Sequence, residues 1–197
     1  MRRYALLLAA ALAPILPAQD KISPVRQDLL DPFMGAAGEC LALAKAVPEE
    51  KYTWRPMEGV RSFGEVFVHM AGSTLLFCSY AGLKPPAGAA HDLAAIYMKR
   101  GFEMPEIFAS ERAIKTKAQT VEIMDQAFHL ARDLIRQMPD SDLEKHVEFF
   151  GQTITMRGLL IRMGDHLSQH LGQSIAYARV NGVVPPWTEE RMQQQKK

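Results

Sequence analysis

The chain has 197 residues, a formal net charge of +1, 48% hydrophobic and 23% charged residues. That length makes one domain with a core of its own. The near-neutral balance and the absence of low-complexity tracts exclude a chain that binds nucleic acid through bulk charge, and one that stays disordered.

The N-terminus, "MRRYALLLAAALAPILPAQD", opens on Arg2 and Arg3, continues in an apolar run from Tyr4 to Ala13, and reaches Pro17-Ala18. A basic start, an apolar stretch too short to span a bilayer comfortably, and a small residue before a break predict a signal peptide over residues 1–18. The expected mature chain is exported, to the periplasm or outside the cell, and carries no membrane anchor. Removing Arg2 and Arg3 from the 23 basic residues leaves 21 against 22 acidic ones.

A first helix is expected over 23–46, with Ser23 as cap and Pro24 in the first turn. Pro32 is the place where it would kink or begin. After the breaker-rich linker "VPEEKYTWRPMEGVR", Ser62 and Glu65 form a Ser-x-x-Glu capping box. The helix it opens has an apolar face of Phe63, Val66, Phe67, Met70, Thr74 and Phe77. Leu83 to Ser110 reads as a loop followed by one or two short helices broken at Gly101 and Pro105.

A third long helix is expected from about Lys117 to Met138, ended by Pro139. "HVEFFGQTITM" admits a small hairpin around Gly151. Thr155 can then cap a last helix running to Asn181. The domain is expected to span 19–187, with 188–197 a mobile polar tail. Four amphipathic helices without strong strands give an all-α fold, a four-helix bundle with a short helical insertion.

Cys40 and Cys78 both fall in predicted helices. Export would permit them to pair, whereas helix positions suit buried free thiols. Neither belongs to a Cys-x-x-Cys motif.

The chemistry sits in the last helix, in "GDHLSQHLGQ". Its inward stripe reads Leu159, Met163, His166, His170, Ser174 and Tyr177, so the two imidazoles lie one turn apart on one face. Two readings remain open for such a pair: ligands of one metal ion, or core histidines satisfied by hydrogen bonds. His69, on the flank of the second helix's apolar face, is the third candidate. Three imidazoles suit zinc, nickel, iron, cobalt or manganese and leave a coordination position open. His129 sits with Asp125 and Arg132 on a polar face, and His91 and His146 have no helical partner, so these three read as solvated. No Glu or Asp occupies an obvious inward position to serve as a general base. A His-Glu-x-x-His motif, a Gly-x-Ser-x-Gly elbow and a phosphate-binding loop are all missing from the sequence.

"HLSQHLGQSIAYARVNGVVPPW" resembles the closing signature of the DinB-like metal-binding four-helix bundles, a His-x-x-x-His-x-Gly-Gln element followed by Tyr, Arg, Asn-Gly and Pro-Pro. "YTWRPMEGVRSFGEVFVHMA" resembles that family's other marker, a Trp-x-Pro linker leading to the remaining histidine. The resemblance implies that His69, His166 and His170 bind one divalent metal ion. It also implies a link to transferases and isomerases that use bacillithiol or mycothiol, where the metal readies a thiolate for attack. The leader and the Leu83–Ser110 insertion exceed the family's core, and the insertion could cover the metal cavity. The expectation is therefore a metal-dependent enzyme, a thiol-dependent transferase or a metal-assisted hydrolase, acting on a small molecule. A non-catalytic, stress-associated metal-binding bundle or a helical interaction module, either able to form a homodimer, is the alternative. Neither the metal nor the catalytic residues can be named from the sequence.

Overall fold

A computed structural model describes residues 22–99 and 101–195 of the chain, so the leader expected over 1–18 lies outside the described residues. Four long helices form the bundle: α1 (Pro24–Ala46), α2 (Phe63–Tyr80), α5 (Lys117–Gln137) and α6 (Met156–Val180). Two short helices, α3 (His91–Tyr97) and α4 (Met104–Ala113), fill the insertion, and α7 (Pro186–Gln194) follows the bundle.

The caps form where the sequence puts them. Ser23, Ser62 and Thr155 each accept a backbone N–H of the first turn, and Ser62 and Glu65 close the reciprocal capping box. Pro32 does not break α1. It removes one backbone donor, while Leu30, Phe33 and Ala37 hold the helix in the core on either side of it.

Around the bundle, α2 packs on α5, α5 on α1, α1 on α6 and α6 on α2, which sets α1 and α2 across a diagonal. Phe33 of α1 meets Phe128 of α5 edge-on, with ring centroids 6.2 Å apart. Cys40 and Cys78 are buried free thiols, and Cys40 Sγ lies 3.5 Å from Met70 Sδ. Burial pushes the Cys78 thiol up to about 12 and the Cys40 thiol higher, so neither is a nucleophile.

α2 is apolar almost all round, with a buried run from Val66 to Met70 broken only at His69. A helix of that kind must be covered on every side, and α3 and α4 cover the side that α5 and α6 leave open. The close approach depends on Gly72, where a Cβ would lie 2.3 Å from the Tyr97 ring. The insertion is thus one wall of the core, and it brings Tyr97 against α2.

The hairpin is present as β1 (His146–Phe149) and β2 (Gln152–Thr155), antiparallel, with Phe149 opposite Gln152. Phe150 and Gly151 form its two-residue turn at φ 48° and 74°, the left-handed pair that a tight hairpin requires. Glycine takes that conformation freely. Phe150 does not, and holding it there costs roughly 1 kcal/mol. Of the polar tail expected over 188–197, residues 188–194 are helical as part of α7, which begins at Pro186, packs on α1 and seats Trp187 against the core.

Candidate metal centre

His69 projects from the middle of α2, and His166 and His170 from successive turns of α6, the helix packed beside it. Ring centroids are 5.3 Å apart for His69 and His166, 4.7 Å for His69 and His170, and 4.6 Å for His166 and His170. One ligating nitrogen from each ring lies within 4.8 Å of the others, an arrangement able to hold a metal ion. The buried stripe of α6 is Leu159, Leu160, Met163, Leu167, Leu171, Ser174 and Ala178. Of the stripe expected from the sequence, Leu159, Met163 and Ser174 are therefore buried, while His166, His170 and Tyr177 lie half-buried on its flank, where α2 delivers the third ring.

Hydrogen bonds orient two of the rings. His69 Nδ1 lies 2.9 Å from Glu111 Oε1 and 3.0 Å from the Tyr97 hydroxyl. The carboxyl of Glu111 is 1% exposed. Burial pushes it up, but hydrogen bonds from His69, Arg61 and Tyr97 outweigh that and hold it below the usual range. Glu111 is thus an anion and can only accept, so Nδ1 of His69 carries a proton, and Nε2 is the nitrogen left to face the cluster. Tyr97 O–H donates to the same Oε1, and Arg61 Nε donates to Oε2 at 2.7 Å. His170 Nδ1 likewise donates to Gln173 Oε1 at 2.8 Å, and Gln173 Nε2 donates to the Tyr177 hydroxyl at 3.0 Å.

Burial, reinforced by the repulsion that a proton on His170 or His69 and the Arg61 guanidinium would exert, lowers the His166 ring to about 3. Burial is also the main cause that lowers His170. Both rings are therefore neutral at physiological pH.

Glu111 corrects the expectation that no inward carboxylate exists. It lies one turn beyond the buried Ile107 on α4, a spacing visible in "IFASE" but obscured by the weak pattern around it. Arg61 and Tyr97 carry no signal of their own, because their roles arise only when the insertion docks. The remaining histidines stay outside the cluster: His129 pairs with Asp125 at 3.1 Å, half-exposed, while His91 and His146 are exposed. Asp165 accepts from Gln169, away from the rings. Trp54 packs edge-on against Tyr177 at 5.2 Å and closes the bundle's end.

A pocket of about 300 Å³ opens beside His69 and His166, walled by α2, α4 and the hairpin. Larger hollows elsewhere do not reach the histidines. Among the described residues no helix is long and apolar enough to cross a membrane.

Comparison with known proteins gives the family of the fold. The chain is similar in fold to a DinB-like protein from Bacillus cereus, with a TM-score of 0.63 and 15% identity over 81% of this chain and 95% of that one. A DinB-like protein from Bacillus subtilis aligns with a TM-score of 0.57 and 15% identity, over 80% and 94% of the two chains. A putative DinB-family member from Exiguobacterium sibiricum aligns at 0.54 and 22% identity, over 82% and 94%. A comparison with curated proteins gives no significant match. The family model described as the DinB superfamily matches residues 35–174, a span that takes in all three clustered histidines. On that match, the chain belongs to the DinB superfamily.

Proposed function

We propose that His69, His166 and His170 hold one divalent cation, zinc, nickel, iron or manganese, and that the chain is an enzyme using it to activate a nucleophile. The observation that carries this is the cluster itself, with two rings fixed through Nδ1 so that Nε2 is left as the donor. Neutral imidazoles are the right donor set for such an ion, and three of them leave room for a further ligand. When bound, the cation supplies Lewis acidity, which lowers the pKa of a thiol or water attached to it.

The surrounding residues narrow the chemistry. Glu111 is taken up by His69, Tyr97 and Arg61, so it orients His69 and is not free to act as a general base. With Glu111 engaged, a nucleophile here would be made acidic by ligation and would release its proton to solvent. A thiol starts from about 8.5, whereas free water starts from about 15.7. The thiol needs less help, and thiol-dependent group transfer is the first reading. Metal-assisted hydrolysis is the second. It is favoured by the export inferred from residues 1–18, because low-molecular-weight thiols are cytosolic pools.

Elemental analysis of the purified chain beside His69→Ala and His166→Ala tests the metal. About one ion per chain is expected in the parent and a large loss in both variants. Little metal in the parent after adding zinc, nickel or manganese, with both variants equally folded, would contradict the proposal.

A further inference from the structure

The pocket beside the histidines has a composition unlike the site it adjoins. Leu76, Phe77 and Ile107 form its buried floor. Phe102, Met104 and Phe150 stand around its mouth, and among the described residues the polar side chains in the lining are His69, His166, Ser73 and Tyr97. Two of these are already engaged. Ser73 Oγ donates to the His69 carbonyl at 2.7 Å, and the Tyr97 hydroxyl donates to Glu111. Among the described residues no Lys or Arg lines it. Arg61, a nearby cation outside the lining, gives its Nε to Glu111. Such a wall offers nothing to a sugar hydroxyl or a carboxylate, and burying either there without a partner is unfavourable.

The rim adds a second, independent observation. Phe150 is 62% exposed and Met104 48% exposed, which folding alone does not reward. Phe150 also sits at φ 48° in a turn where glycine would be unstrained. Its ring reaches across the mouth to Phe102 of the insertion, at 6.2 Å between centroids, and packs on Phe149 at 4.7 Å. A strained backbone and an exposed ring at one residue, on the lip of an apolar pocket, together point to a ligand contact.

We propose that this pocket takes the apolar part of the substrate, a single aromatic ring or compact alkyl group on a short chain, whose functional group faces His69 and His166. This rests on the metal reading above and gives its substrate class. A cavity of roughly 150 Å³ accommodates one benzene, so a pocket of about 300 Å³ has room for a ring with a short chain. Polar thiols that carry sugars or carboxylates do not match this wall.

Binding of 3-phenylpropan-1-ol and of propane-1,3-diol to the full chain, stripped of metal by chelation, tests it by calorimetry. The expected result is clear binding of the aromatic alcohol and at least about tenfold weaker binding of the diol. Phe150→Gly should weaken the aromatic alcohol about five- to tenfold while its thermal midpoint stays level or rises, because glycine relieves the turn. Equal binding of the two alcohols, or unchanged binding by Phe150→Gly, would overturn the inference. Metal content measured on the same preparations before chelation separates the two ideas. Metal with no preference for the ring sinks the pocket alone, and a preference without metal sinks the metal reading alone.

Discussion

α6 and α4 each bury a polar side chain among apolar neighbours, and they do it by different means. α6 carries His166 and His170 on the flank of a stripe that includes Leu159 and Met163, and burial keeps both rings neutral. Little compensating structure is needed. α4 buries Glu111 as an anion in its last turn, where the helix dipole opposes negative charge. That arrangement requires donors from three other places: Arg61 before α2, His69 within α2 and Tyr97 at the end of α3. A neutral buried group can be built on one helix, whereas a charged one is built by the whole fold.

The sharpest break of this comparison is Glu111→Ala. It leaves Arg61 and the His69 Nδ1–H facing a void, and a loss of about 3 kcal/mol is expected in urea unfolding of the metal-free protein. His170→Ala in the same assay should cost under about 1 kcal/mol, because a half-buried neutral ring is lost and no charge is stranded. Equal losses in the two variants would remove the distinction drawn here.

Gly72→Ala comes next. Its methyl would drive into the Tyr97 ring, so about 2 kcal/mol should be lost, with cleavage by protease increasing first in the insertion. Glu111→Gln has a milder effect on folding but removes the charge that orients His69. Metal affinity should fall about tenfold, read by competition with a chromophoric chelator.

Asp140 at the far end of α5 gives the smallest effect. Hydrogen bonds from Ser23 and then Arg26 hold its carboxyl below the ordinary 3.8. A depressed folded value means the contribution is present above pH 3.8 and is lost as pH falls through the folded value. Asp140→Asn should therefore lie slightly below the parent in stability at pH 7 and converge on it in acid. A constant gap between the two, measured by denaturation across that range, would contradict the assignment.

The same contrast explains what could be read beforehand. The bundle, its caps at Ser23, Ser62 and Thr155, the hairpin and the histidine stripe are local patterns, set by neighbours within a few residues. His69 was reachable because it interrupts the apolar face of α2. Glu111 and Tyr97 were not, since their burial depends on Gly72 admitting the insertion. One signal went unread: α2 has scarcely any polar face, which already required the insertion to cover it. Phe150 had no signal, because hairpin turns of this geometry favour Asn-Gly or Asp-Gly. The helical end at α7 was masked by a polar composition that reads equally well as tail.

Everything proposed for this chain's chemistry rests on His69, His166 and His170 forming an open cation centre. Loading the full chain with cobalt(II) and recording its absorption and X-ray absorption spectra tests it most directly. A shell of three imidazole nitrogens completed by an exchangeable solvent oxygen is expected, with a spectral change when a small thiol is added. A closed shell of four protein ligands, indifferent to thiol, or no cobalt bound at all, would contradict it.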